Sequence, residues 1–416
     1  MVPGFRDLLP AEAESLRSVQ EALLAEMRAW GYRQAVTPLV EDAATVGAGL
    51  KPPDLKRLFK LVDGDGTVLV LVGERTIPIA RLAAGPLRGA PLPLRLCYAG
   101  PVLAAEASGV AGRREAYQAG AELIGASGAA ADAEVIALAV RCLQMAGLGH
   151  YQVDVGHSEF FLGLLEGLDA SAEAKAAIRS ALAERDLVTM EELLEDTPVG
   201  AADRELLLRF PALRGGRELI DAAGGLVRSR RSERALEQLA QVMDLLDAHG
   251  IGEHVAVDLG AIRDFDYYTG VIFEGFGDDL GRPLAQGGRY DRLLGRFGRP
   301  APATGFVVRL DLVTEALARR RAPALPRLDA AVAWSRGAIR PALRLGASLR
   351  MFGMGAVVDT EPRSLDAARR WRTAVGARHL VHFGTGARAA WVPPGGRMRR
   401  LPPEQVVAKL AESSVR

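Results

Sequence analysis

Four groups of polar residues interrupt otherwise apolar stretches of this sequence. They are Glu74 and Thr76 in GERTIPIARLAA, Glu106 in YAGPVLAAEA, Gln118 and Glu122 in EAYQAGAELIG, and Arg263, Asp264, Asp266, Tyr267 and Tyr268 in AIRDFDYYTGVIFEGF. Gln118 and Glu122 stand four apart in a strand-like stretch, which turns both to one face. A carboxylate buried there requires a cation or several hydrogen-bond donors. An internal salt bridge, for example Glu122 with Arg263, meets that need. So does a ligand with an ammonium at one end and a carboxylate at the other, held by acids and an arginine. Residue types alone leave both arrangements open.

Several other chemistries are excluded. The sequence has no G-x-x-x-x-G-K-[ST] phosphate loop, no G-x-S-x-G elbow and no H-E-x-x-H. The six histidines (His150, His157, His249, His254, His379 and His382) lack metal-ligand spacing and read as turn or surface residues. No metal and no cofactor is expected. Cys97 and Cys142 are too few and too isolated for a disulfide scaffold, which points to a reducing cytosol. The opening MVPGFRDLLP lacks the apolar core of a signal peptide. No run of about 18 uncharged apolar residues is present, so no membrane partner is expected and a cytoplasmic location is.

Net charge is +1, unevenly distributed. From Arg319 onward there are 19 Lys+Arg against 6 Asp+Glu, a local +13, and residues 1–318 carry −12. Such asymmetry fits a nucleic-acid footprint, a surface for an acidic partner or an arginine-rich solvated surface, and no aromatic platform accompanies it.

The positioning elements follow from periodicity. Leu16, Val19, Leu23, Met27 and Trp30 recur at helical spacing between Pro10 and Gly31. Residues 32–41, 67–73, 94–107, 115–125, 151–156, 254–276 and 304–313 read as strand-bearing, with a polar hairpin at 108–114 and a glycine-rich turn at 287–300. Residues 158–250 are almost wholly helical. The reading is therefore α+β over 1–318 with a helical insertion at 158–250, a Pro- and Arg-rich linker at 319–327, and a βαβ domain with a parallel sheet at 328–416.

GFRDLLP, GYRQAVTPLVE, ERTIPIARLAA, YAGPVLAAEA, REAYQAGAELIG, RDFDYYTGVIFE, GGRYDRLLGRFG and ATGFVVRLDLV occur in the order and spacing of histidyl-tRNA synthetases, which the chain resembles. The resemblance implies a class II aminoacyl-tRNA synthetase-like antiparallel sheet of six strands flanked by helices. It also implies a small C-terminal α/β domain of anticodon-binding type, and dimerisation around Pro38. It further implies a histidine pocket that includes Thr76, in which Glu74 and Gln118 take the α-ammonium. Arg263 would take the carboxylate and Glu122 with Tyr268 the imidazole of histidine, with Tyr267 a further residue of the same pocket.

Three arginines that bind ATP in the synthetases are replaced by Ala104, Gly112 and Leu312, while Arg114 and Glu115 stay in place and Arg309 stands where a glycine is usual. At about 1.5–3 kcal/mol for each charge-assisted bond, their loss removes roughly 5–9 kcal/mol if additive, so adenylation should be negligible. A synthetase body with a histidine pocket and no ATP site is similar to the regulatory subunits of ATP phosphoribosyltransferase, as is VDVGHSEFFLGLLEGL at 153–168. That likeness implies a non-catalytic subunit taking histidine as effector. It would form a homodimer within a hetero-octamer with the short catalytic subunit, and tRNA is not expected as a partner. An active or degenerate synthetase and a synthetase-like RNA-binding module are the alternatives.

Overall fold

The computed structural model describes residues 2–50, 55–108, 113–183, 186–197, 199–225, 227, 229–261, 268–277 and 280–414. The helix Pro10–Ala29 opens on proline and buries Leu16, Val19, Leu23, Leu24 and Met27. Trp30 closes it half-buried, its indole donating to Glu26 at 3.0 Å. Gly31 then adopts φ 85°, the left-handed conformation that ends helices and that side chains disfavour.

The chain divides into two units, Met1–Pro323 and Ala324–Arg416. The first is built on six antiparallel strands in the spatial order β5 (Leu94–Ser108), β6 (Arg113–Ile124), β12 (Ala303–Arg309), β11 (Pro283–Arg289), β10 (Val271–Gly277) and β7 (Tyr151–His157). The short β1 (Arg33–Gln34) pairs in parallel outside β5. At the other edge β9 (Val255–Asp258) runs parallel to β7, followed by β8 (Arg214–Gly215). A second sheet of β2 (Val40–Asp42), β4 (Val68–Leu71) and β3 (Lys60–Val62) stands apart.

Period-two alternation gives the main sheet two different faces. Ala119, Ala121 and Leu123 of β6, with Phe306 and Val308 of β12, join the large core formed with the helices Pro10–Ala29 and Ala129–Met145. Tyr98 of β5 and Ile124 of β6 face the other way and pack with Ile77 and Ile79 of the helix Thr76–Ala84 and with Tyr290 and Leu293. Gln118 and Glu122 share this second face.

Residues 158–250 form the helices Ser158–Gly167, Ala172–Ala183, Leu187–Asp196, Ala201–Arg209, Glu218–Gly224 and Arg230–Ala248. In the second unit β13 (Leu328–Trp334), β14 (Ala356–Val358) and β15 (Ala377–Phe383) are parallel, with helices Ile339–Met351 and Leu365–Ala374 between them. The sheet continues antiparallel through β16 (Ala389–Val392) and β17 (Arg399–Leu401), so it is mixed rather than parallel throughout.

Four further local expectations are corrected. The strand expected over 304–313 stops at Arg309, because Leu310, Leu312, Val313 and Ala316 bury at helical spacing in the helix Leu310–Arg320. Residues 287–289 belong to β11, not to a turn. The strand-bearing stretch expected over 254–276 divides into two strands that do not pair with each other: β9 ends at Asp258, β10 begins at Val271, and they lie on opposite sides of β7. Three histidines are not surface residues: His157, His379 and His382 are 4%, 5% and 6% exposed. His157 caps the helix Ser158–Gly167 by accepting from the Glu159 amide at 3.2 Å, and burial lowers its pKa to about 4, so it is neutral.

Candidate functional site

A cavity of about 200 Å³ lies on the second face of the main sheet. Gln118 and Glu122 come from β6, and Tyr98 from β5. Gly305 and Arg309 come from β12, and Glu74, Arg75 and Thr76 from the start of the helix Thr76–Ala84. Tyr268, Gln286 and Tyr290 complete the wall. The register Leu96↔Glu122 and Gly100↔Gln118 puts Tyr98 between the two β6 side chains, opposite Gly120. On β12, Gly305 is opposite Glu122, and a Cβ there would overlap Glu122 Oε2, so only glycine leaves the carboxyl its place.

Glu122 is 1% exposed and held from two sides. Tyr98 donates its hydroxyl at 3.1 Å, and Tyr290 donates to the other carboxyl oxygen in a short hydrogen bond. Burial raises its pKa to about 8 against the pull of these donors, and the nearby Glu74 adds to the rise. Glu74 accepts from the amides of Thr76 (3.2 Å) and Ile77 (2.9 Å) at the positive end of the helix, yet burial still raises it to about 7. The Thr76 side chain pulls both carboxyls the other way, downward. Among the described residues no cation pairs with either carboxyl. Two acids whose pKa values are raised chiefly by desolvation, facing one cavity, are suited to a ligand that brings positive charge.

Two cations line the same cavity. Arg75 is 5% exposed, donating to Pro101 O at 2.7 Å and Thr37 Oγ1 at 3.4 Å, with no carboxylate partner among the described residues. Burial lowers its pKa. Arg309 is tied to Asp311 by contacts of 3.3 and 3.2 Å. Asp311 lies 3.8 Å from Arg113, which donates to Glu315 at 3.1 Å. A chain of ion pairs thus runs from the cavity along the helix Leu310–Arg320.

Below the cavity, Arg289 closes β11 against Asp132 of the helix Ala129–Met145. Nη2 lies 2.8 Å from Oδ1, Nε donates to Oδ2 at 3.1 Å, and the side chains are 4% and 1% exposed. Gln238 donates to the same Asp132 at 3.2 Å. This pair fixes the backbone immediately before Tyr290.

Of the expected histidine-site residues, Glu74, Thr76, Gln118, Glu122 and Tyr268 line one cavity. Arg263 and Tyr267, with Asp264 and Asp266, lie outside the described residues, as does Gly112. Ala104 is a half-buried residue of β5, and Leu312 is 6% exposed in the helix-side core; neither lines the cavity. Arg114 sits 4.3 Å over the Phe59 ring instead of in this cavity. Sequence reasoning missed Tyr98, Tyr290, Arg75 and Gln286 as wall residues, and noted Arg309 only as a replaced glycine. Among the described residues no cluster of three metal-ligating side chains exists, and no helix is long and apolar enough to cross a membrane.

Residues 4–313 match the family model described as histidyl-tRNA synthetase. A relative described as an ATP phosphoribosyltransferase regulatory subunit, from Moorella thermoacetica, is 40% identical over 365 residues, covering 88% of this chain and 93% of that one. One of the same description from Desulforamulus reducens is 36% identical over 384 residues, covering 92% and 95%. A crystal structure described as an ATP phosphoribosyltransferase regulatory subunit/histidyl-tRNA synthetase from Bacillus halodurans superposes with a TM-score of 0.82 at 34% identity, covering 93% of this chain and 98% of that one. The histidyl-tRNA synthetase of Nostoc superposes with a TM-score of 0.83 at 17% identity over 99% of both chains, which is a likeness of fold alone.

Proposed function

The chain belongs to the histidyl-tRNA synthetase-like family of ATP phosphoribosyltransferase regulatory subunits, and from that premise we propose that it binds histidine in the cavity between Glu74 and Glu122. In this reading it performs no catalysis. It activates the short catalytic subunit of ATP phosphoribosyltransferase and conveys feedback inhibition by histidine at the first step of histidine biosynthesis. The assembly is a cytoplasmic hetero-octamer in which this chain dimerises. Glu74, Thr76 and Gln118 receive the ammonium, Glu122 and Tyr268 the imidazole. Arg263 receives the carboxylate, and Tyr267 belongs to the same pocket. The observation that carries the reading is the pair of carboxyls, Glu122 buried and Glu74 half-buried, both raised in pKa with no cation among the described residues paired to either. Regulation requires histidine to favour one quaternary state, typically by about 1–3 kcal/mol, and the effect is reciprocal.

The function is tested by mixing the full chain with a short-form ATP phosphoribosyltransferase. Co-elution, activation and histidine inhibition are all expected. Histidine-dependent ATP–pyrophosphate exchange by this chain alone would overturn the assignment.

The raised carboxyl pKa values give a second expected outcome. In the empty cavity at pH 7, Glu122 is mostly protonated and Glu74 about half so, from values of about 8 and 7. A cationic ligand favours the carboxylates and therefore expels protons. Calorimetry at pH 7 in buffers of different ionisation enthalpy should show net proton release, with affinity rising from pH 6 to pH 8. Uptake of protons, or a flat profile, contradicts the assignment of the cationic end to these acids.

A further inference from the structure

A second cavity, about 1410 Å³, belongs wholly to the unit Ala324–Arg416. From Ala324 onward there are 16 Lys+Arg against 6 Asp+Glu. Four of the cations, Arg327, Arg372, Arg378 and Lys409, stand on the cavity wall. Lys409 is occupied by Glu412 at 2.6 Å. Among the described residues no carboxylate pairs with Arg327, Arg372 or Arg378.

The deeper wall is also unsatisfied. Trp391 is 6% exposed, and its indole Nε1 has no hydrogen-bond partner; the Nε of Arg372 is likewise buried without one. A buried donor left unpaired forfeits its hydration without recompense, so two in one cavity call for an acceptor. His379 stacks on Trp391 with ring centroids 5.8 Å apart. Burial lowers its pKa, and Arg378 and Arg372 act in the same direction against Asp329, so it adds no charge at neutral pH.

Guanidinium and indole N–H groups donate and cannot accept, so the missing occupant is anionic and rich in acceptors. Several guanidiniums around one concavity favour phosphate oxygens, which their planar forks engage in pairs. Three unpaired guanidiniums balance the charge of one diphosphate. Single-stranded RNA is a poorer fit: the wall's two ring systems, Trp391 and His379, are 6% and 5% exposed and stack on each other, leaving little ring surface for a base. We propose that this cavity is a binding site for a diphosphate group, free or carried by a nucleotide, with Arg327, Arg372 and Arg378 neutralising it and Trp391 Nε1 donating to it. The proposal is independent of the histidine reading.

The test is calorimetry on the full chain with inorganic pyrophosphate, ATP and sulfate at matched ionic strength. Saturable one-to-one pyrophosphate binding is expected, weakened at least about 10-fold by Arg372→Gln with Arg378→Gln, the loss of roughly one charge-assisted bond. Histidine binding should be unchanged in that variant. Trp391→Phe, which keeps a ring against His379 and removes the N–H, should weaken pyrophosphate several-fold and decides the matter if the double variant does not fold. ATP binding more tightly than pyrophosphate identifies a nucleotide; equal affinity identifies the diphosphate alone. The proposal fails if no saturable binding is seen, if sulfate binds equally well, or if the variants bind as the parent does. It also fails if a single-stranded RNA oligonucleotide occupies the same residues more tightly than pyrophosphate.

Discussion

Replacing Glu122 by glutamine is expected to weaken histidine binding by roughly 10- to 150-fold, the range set by a charge-assisted hydrogen bond of about 1.5–3 kcal/mol. The substitution preserves shape and leaves an amide oxygen to accept from Tyr98 or Tyr290. Its effect on stability should have the opposite sign. A carboxyl whose folded pKa is about 8 has stability that is fully present below the unfolded value near 4.3 and is lost as pH rises through 8. Glutamine does not ionise. The variant should therefore match the parent at about pH 4 and exceed it at pH 9, at about 1.4 kcal/mol per unit of pKa shift as an upper scale. Histidine titrations and urea melts at the two pH values read both effects. Unchanged histidine affinity would remove Glu122 from the site, whatever the melts show.

Asp132→Ala is expected to cost about 3–5 kcal/mol of stability, the usual consequence of stranding one member of a buried ion pair. Arg289 would keep Asp291 at 3.0 Å and weaker contacts to the carbonyls of Ala126 and Gly128, which favours the lower end of that range. A second effect should appear at the cavity, because the next residue is Tyr290, whose hydroxyl holds Glu122. Urea denaturation of the full chain measures the first effect and histidine titration of the folded variant the second. Replacing both partners by apolar residues should cost less than Asp132→Ala alone. A loss below about 1 kcal/mol in the single variant would mean that Asp291 already supplies the counter-charge.

The two variants separate what the residue pattern reveals from what it conceals. Glu122 and Gln118 were legible because a spacing of four in a strand fixes a shared face. Tyr98 was not. Counting outward from the end pair Ser108↔Arg113 would set Tyr98 against Leu123, on the helix side. The register shift between Leu103 and Ser108 sets it against Gly120 instead, on the cavity side. A bulge of this kind changes the face of every residue beyond it. Arg75 was hidden for another reason: beside a helix start it reads as a solvated charge, and only the fold brings Pro101 O within 2.7 Å of it. The strand expected past Arg309 failed because a short apolar run has no period of its own, and the spacing of Leu310, Val313 and Ala316 then favoured helix.

Both thiols of the chain lie in the unit Met1–Pro323, Cys97 on β5 and Cys142 in the helix Ala129–Met145, within one core cluster and without exposure. Burial pushes Cys97 up to about 11 and Cys142 higher still, so neither is reactive in the closed state. An alkylating reagent must wait for the helix layer to part from the sheet, and the labelling rate becomes a clock for that opening in this unit alone. Cys97 and Tyr98 are neighbours on β5 facing opposite sides of it. The strand that carries the clock thus also carries a hydroxyl that grips Glu122, and occupancy of the cavity should slow the clock in proportion to ligand affinity.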